Sequence, residues 1–359
     1  MQMKNYYLIT YLFLVVISGV ISCSRPRYAY DIKEYHYDEK EKTLIGEPTG
    51  LEYEGDVDQS LLIDTLLLVA VEEPEGLLNV YTMPDFSFKT TLCRIGRARN
   101  EFSKPFFLLS QHYKRGSDTY ITTVDKDSYV KEINLTESIE KGNTVVSDVD
   151  DCPSVYGNNK FLYLNDDIHQ MFVYSNKVER GAKKSEYLVI DRKNDRRKKI
   201  NVFPKTMATD EESMKDYSFG SIYKHPQKNL FVQLCQYIDY ILFFDLDENT
   251  GFAVHREGAE TFDDIAPDGR KIVFACGCLA TEDYLFAIRV TENEKGEEEN
   301  SLLIFNWSGE LIAGAKLVPS VNTVMYDEKQ NILYGWDAFI PGIKPSRRLI
   351  KFDLNDFIK

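Results

Sequence analysis

Tyr223-Lys224-His225-Pro226-Gln227-Lys228-Asn229 runs directly into Leu230-Phe231-Val232-Gln233-Leu234, and after Tyr237-Ile238-Asp239 the chain continues as Ile241-Leu242-Phe243-Phe244-Asp245-Leu246. The first seven residues are turn formers. The two apolar runs, rich in Leu, Ile, Val and Phe and separated by a few residues, have the length and composition of paired β-strands. Working outward, the same unit recurs. Ile63 to Val71 turns through Glu72-Glu73-Pro74-Glu75-Gly76 into Leu77 to Tyr81, and Thr119 to Val124 through Asp125-Lys126-Asp127 into Tyr129 to Asn134. Phe161 to Leu164 turns through Asn165-Asp166-Asp167 into Met171 to Tyr174, and Lys271 to Ala275 passes through Cys276 to Asp283 into Leu285 to Val290. Ile332 to Tyr334 passes through Gly335 to Pro345 into Leu349 to Leu354. Hardly any long segment has helical periodicity.

Six such pairs, recurring at the roughly 40 to 50 residues expected of propeller blades, predict an all-β chain folded as a single six-bladed β-propeller. The opening turn recurs too. Asp263-Asp264-Ile265-Ala266-Pro267-Asp268-Gly269-Arg270-Lys271 and Tyr326-Asp327-Glu328-Lys329-Gln330-Asn331 occupy the place of Tyr223 to Asn229, between the first and second strands of their blades. Ring closure is expected from Lys42 to Tyr53, where Thr43-Leu44-Ile45 would complete the sheet left unfinished by Arg348 to Leu354.

Lys4, the apolar run Tyr6 to Val16 and then Val20-Ile21-Ser22-Cys23 follow the order of a signal peptide, too short for a bilayer span. The last four residues resemble a bacterial lipobox, so residues 1–22 are expected to be cleaved and Cys23 acylated. Each buried methylene contributes roughly 0.8 kcal/mol, so two or three acyl chains suffice as an anchor. Residues 23–40 are read as a tether and 41–359 as the propeller. Ser24-Arg25-Pro26-Arg27 lacks an aspartate beside the anchor and lacks an acidic run, which favours the periplasmic face of the outer membrane.

These features together resemble the TolB-like six-bladed propeller lipoproteins of Bacteroides-type bacteria, over nearly the whole mature chain. The most specific piece is Ile95-Gly96-Arg97-Ala98-Arg99-Asn100-Glu101-Phe102. It is similar to the family pattern of Gly, any residue, Gly, Pro, any residue, Glu, Phe after the first complete blade. Gly96, Glu101 and Phe102 match; Ala98 and Arg99 stand where Gly and Pro are usual. The resemblance implies fold, envelope location and protein partners more than an activity.

The chain carries 43 basic and 57 acidic residues, a net charge of −14. Phosphate-backbone binding needs clustered cations, so nucleic acid is excluded as a partner. The basic stretch Arg192 to Lys199 is the exception, read as a solvated strand edge or a phosphate-binding patch. With Cys23 taken by lipid, Cys93, Cys152, Cys235, Cys276 and Cys278 form no disulfide framework. They read as buried structural residues, with Cys276-Gly277-Cys278 open to a strained disulfide or a soft-metal site. Motifs of metalloproteases, serine hydrolases, nucleotide-binding loops and EF-hands are absent, and five histidines are scattered.

In a propeller the turns between second and third strands emerge with the blade-to-blade links on one face. The pairs above would put Glu72, Glu73, Asp125, Asp127, Asp166, Asp167, Asp239, Glu282, Asp283 and Asp337 there. Such an acidic rim would attract a cationic partner or a hard cation such as Ca²⁺, unless the residues serve only the turns. Otherwise no cofactor is implied. Tyr237, Trp336 and Phe339 would add apolar area suited to an interface. Arg94, Arg97 and Arg99 in the first link would bind an anionic ligand or pair with the acidic turns. Glu292 to Asn300 reads as a solvated hairpin tip, and Asp64-Thr65-Leu66, which resembles an envelope O-glycosylation triplet, as part of a strand. The function expected is a lipid-anchored scaffold holding an envelope protein or a glycan-linked partner. The alternative is a propeller-type hydrolase or lyase acting on a glycan or lactone with a cation at the channel mouth.

Overall fold

A computed structural model describes residues 31–37, 42–73, 75–103, 105–125, 129–151, 160–164, 167–179, 182–200, 220–259, 271–275, 277–292, 295–296, 298–337 and 346–358. The signal segment and Cys23 lie outside these residues. Three strands come first: β1 (Asp31–Tyr35), β2 (Thr43–Ile45) and β3 (Glu47–Glu54). Blade 1 is β4 (Val57–Ile63), β5 (Leu66–Glu73), β6 (Gly76–Thr82) and β7 (Ser87–Leu92). Blade 2 has a split inner strand, β8 (Phe106–Phe107) and β9 (Tyr113–Arg115), then β10 (Asp118–Asp125), β11 (Tyr129–Asn134), helix α1 (Leu135–Lys141) and β12 (Val146–Asp151). Blade 3 is β13 (Lys160–Leu164), β14 (Asp167–Glu179), β15 (Ala182–Asp191) and β16 (Arg196–Ile200). Blade 4 is β17 (Gly220–Lys224), β18 (Leu230–Cys235), β19 (Tyr240–Asp245) and β20 (Thr250–Arg256). Blade 5 is β21 (Leu279–Ala280), β22 (Tyr284–Glu292), β23 (Glu298–Asn306) and β24 (Leu311–Val318), and blade 6 is β25 (Val321–Asp327), β26 (Ile332–Asp337) and β27 (Ser346–Asp353).

The first strand of each blade lines the centre: β4 touches β25, β13 touches β17, and β21 touches both β17 and β25. Strand periodicity explains the stacking. Along β5, Leu67, Val69 and Val71 pack with Met325, Tyr334, Trp336 and Leu349 of blade 6, while Leu68 and Ala70 pack with Ile121 and Ile133 of blade 2. Both faces of a middle strand are therefore buried, which explains why these strands read as continuous apolar runs.

β3 pairs antiparallel with β27, from Ser346↔Glu54 to Lys351↔Glu47, so an N-terminal strand completes the last blade as expected. Thr43–Ile45 does something else. As β2 it lies parallel to β24 on the outside of blade 5, and β1 lies parallel to β20 on blade 4. Within the expected tether, β1 pairs with the propeller, because Tyr35 finds a buried place in the core of blades 4 to 6.

Two further expectations are corrected. The strand pairs of blades 3 and 5 are first and second strands, not second and third: β13 pairs β14, and Phe274 bridges to Arg289 on the inner side of β22. All four strand positions carry similar apolar alternation, so periodicity alone does not say which hairpin has been found. Asp167 and the turn 281–283 therefore lie on the opposite face from Asp125 and Asp239. The turn Asp263 to Lys271 lies outside the described residues except for Lys271, whereas Tyr223–Asn229 and Tyr326–Asn331 do join first to second strands. Asp64 and Thr65 form an exposed turn between β4 and β5, not the interior of a strand, with Asp64 at φ 53°.

Candidate binding face

The link from blade 1 to blade 2 is built by its own side chains. Gly96 N–H donates to Phe102 O at 3.0 Å, Phe102 N–H to Arg94 O at 2.9 Å, and Glu101 N–H to Ala98 O at 2.9 Å. The Glu101 carboxylate also accepts from Ala98 N–H at 2.9 Å, and a Cβ on residue 96 would come within 2.0 Å of that same Oε2. Only glycine leaves the carboxylate its place. Phe102 is fully buried beneath the loop. Neither Ala98 nor Arg99 adopts a positive φ, so the backbone here does not require glycine at position 98.

Below this loop Lys131 Nζ donates to Glu101 O at 2.5 Å and to Asp125 Oδ2 at 3.0 Å, and sits 4.5 Å from the centroid of the Phe102 ring. Asp125 in turn accepts from Ser103 N–H at 3.0 Å and Ser103 Oγ at 2.9 Å. Asp125 is buried, with its charge met by Lys131. It fastens the link rather than forming part of an open acidic rim.

The outward side of the same link has the opposite character. Arg94, Arg97 and Arg99 are exposed and make no ion pair with a described residue. Beside them stand large apolar side chains open to water: Ile95 at 54% exposure, Phe106 at 60% and Tyr129 at 43%. The ladder puts them at the same, link end of blade 2, since Ile95 bridges to Phe102, Phe106 pairs with Val124 and Tyr129 with Asp125, the two aromatics on opposite faces of the sheet. Among the described residues no pairing of these arginines with the acidic turns is present; Asp127 and Asp166 lie outside them.

Asp239 is also buried. It accepts from Tyr35 Oη at 2.6 Å and from Arg289 Nε at 2.9 Å, with Arg256 Nε at 3.8 Å. Burial, and after it the neighbouring Asp239 charge, holds the Tyr35 hydroxyl protonated well above the usual tyrosine range. Tyr237, two residues earlier, is half-buried. Trp336 is a core residue: 2% exposed, packed among Leu67, Val69 and Tyr334, with its Nε1–H donating to Ser60 Oγ at 3.1 Å. The expectation that it presents apolar area to a partner is corrected, because the last residues of a second strand still lie within the blade-to-blade core. Asp337 accepts from Arg348 N–H at 3.0 Å and Arg348 Nε at 2.8 Å. Asp166 and Phe339 lie outside the described residues; Asp167 opens β14.

Cys93, Cys235 and Cys278 are buried free thiols, and burial pushes the first two far above the usual thiol range, which leaves them unreactive. Among the described residues no group of three or more His, Cys, Asp or Glu is arranged to hold a metal ion. Lys131 and Arg289 were missed by sequence reasoning. Their signal was a lone cation inside an apolar strand, which needs a buried carboxylate nearby. Nothing in the sequence marks Phe106 and Tyr129 as the aromatics that remain outside.

These sheets and links define a six-bladed β-propeller with a cationic, partly apolar patch on the link side of its first two blades. No protein-family model and no curated protein matches the chain. Among solved structures, a Bacteroides fragilis protein assigned as exported superposes with a TM-score of 0.52 at 12% identity, covering 89% of this chain and 98% of that one. A member of the DUF4221 family from Bacteroides vulgatus gives 0.49 at 13% identity, covering 88% and 99%. The first likeness supports the fold.

Proposed function

We propose that the protein is a lipid-tethered binding module of the cell envelope that holds a protein partner by an acidic segment at the link face of blades 1 and 2. The observation that carries this reading is the patch of Arg94, Arg97 and Arg99 beside Ile95, Phe106 and Tyr129. In a chain of net charge −14, three exposed guanidiniums without an ionic partner among the described residues are an unusual local charge. Arginine and aromatic side chains are also the residues that carry most binding energy at protein interfaces. The buried Lys131–Asp125 pair and the Glu101 loop hold the patch rigid, which lowers the entropy lost on docking. Export is supported by the signal segment and Cys23, and by the assignment of the Bacteroides fragilis neighbour. The cation-assisted hydrolase reading loses support, because Asp125 and Asp239 already face Lys131 and Arg289.

The test is crosslinking of the full-length protein in its native envelope, beside an Arg94→Glu/Arg97→Glu/Arg99→Glu variant whose melting temperature matches wild type. A defined partner lost from the variant supports the proposal. The same partner recovered equally from both removes this patch from the interface.

A further inference from the structure

We infer that the outer edge of blade 3 is the surface by which the propeller meets an anionic lipid membrane; the inference rests on the reading of Cys23 as the lipid anchor. Two observations converge on it. The first is where the tether enters. β1 runs parallel to β20, with Asp31 opposite Phe252 and Tyr35 opposite Arg256. β20 leaves the 246–249 turn and climbs to the link face, so Asp31 stands near the opposite face of blade 4, called the hairpin face, and Tyr35 near the link face. Eight residue steps lead from Cys23 to Asp31, a reach of at most about 25–30 Å. The hairpin side of blade 4 is thereby kept close to the bilayer.

The second observation is charge. The neighbouring hairpin of blade 3, residues 192–199, reads Arg-Lys-Asn-Asp-Arg-Arg-Lys-Lys, and Lys193, Arg196, Arg197, Lys198 and Lys199 are exposed. Its turn lies on the hairpin face, and β16 forms the outer edge of its sheet. Blade 3 packs directly on blade 4, with Tyr187 and Ile200 in one apolar cluster with Phe244 and Leu246. Elsewhere on this face carboxylates gather at Asp245, Asp247 and Glu248 on blade 4 and at Asp327 and Glu328 on blade 6, with Lys228 and Lys329 as single cations among them. An anionic surface attracts the first set and repels the second. A propeller held by a short tether beside that edge settles with blade 3 down and its acidic turns tilted away. The link face of blade 1, across the six-membered ring from blade 4, then points outward with its arginines available.

The experiment uses the full-length acylated chain with Cys152 and Cys276 changed to serine, carrying one fluorophore at Asn194→Cys on the blade 3 turn or at Asn100→Cys on the link face. Each is reconstituted into vesicles of phosphatidylcholine and phosphatidylglycerol that contain a headgroup spin-label quencher. Position 194 should be quenched several-fold more than position 100. That excess should disappear in Arg196→Glu/Arg197→Glu/Lys198→Glu, while the variant still floats with the vesicles. Equal quenching at the two positions, or an excess that survives the charge reversal, overturns the inference. A chain that fails to float with any vesicle overturns the anchor reading instead, and this inference with it.

Discussion

Replacing Asp239 by alanine separates a structural carboxylate from one that waits for a partner. The side chain is 6% exposed and faces the Arg289 guanidinium, 8% exposed, at 2.9 Å, while Tyr35 Oη donates to its other oxygen at 2.6 Å. Removing one member of a buried ion pair costs about 3–5 kcal/mol, because the remaining charge keeps its desolvation without its counter-charge. A propeller of roughly 330 residues unfolds with an entropy near 0.7 kcal/mol/K, so this loss corresponds to about 4–7 °C in melting temperature. Tyr35→Phe keeps the edge-on contact with Phe305, at 5.2 Å between centroids, and loses only the hydroxyl, which is worth about 1.5–3 kcal/mol against a charged acceptor. In the Asp239→Ala background the same tyrosine change should cost less than half as much, since its acceptor is already gone. Thermal melts and urea titrations of the four proteins complete the cycle. A melting temperature for Asp239→Ala within about 1 °C of wild type would refute the reasoning, since a change that small means water already solvates the pair.

Two other outcomes follow from the same geometry. Gly96→Ala should destabilise the first link by about 1–3 kcal/mol, read as faster amide exchange at Ala98 and Phe102; unchanged exchange would show that Glu101 does not need the space. Tyr35 is held protonated above its ordinary value of 10.0 in the folded state, so below pH 10 both states carry the proton and stability is unaffected. Above that the unfolded chain ionises first, and stability falls by about 1.4 kcal/mol per pH unit until the folded hydroxyl titrates; Tyr35→Phe should flatten that slope in urea titrations at pH 9 to 11.

The number of blades was legible because each contributes a strand pair whose apolar runs are bounded by turn residues. The frame within each blade did not follow the first-turn marker alone: blades 1 and 2 lack it and were framed correctly, while blade 5, read with Asp263 to Lys271 as its first turn, was shifted by one strand. Tyr223–Asn229 and Tyr326–Asn331 mark the first turn of blades 4 and 6, and there the second and third strands were placed correctly. Blade 3 lacks such a marker, and its first hairpin was taken for its second. The acidic rim failed for a different reason. Asp125 and Asp239 sit at turns, where aspartate is common, but their partners Lys131 and Arg289 lie 6 and 50 residues away along the chain. Spacing along the sequence cannot distinguish a carboxylate that faces water from one that faces a buried cation.

The wrap of β1, β2 and β3 around blades 4, 5 and 6 imposes an order on biosynthesis. These strands leave the ribosome well before their partners, which begin at residues 252, 316 and 346. During synthesis the leading segment remains an unsatisfied edge, exposed to proteases and to other chains, until the trailing strand arrives. A premature stop before Ser346 therefore does more than remove part of one blade. It also leaves β3 without its partner strand.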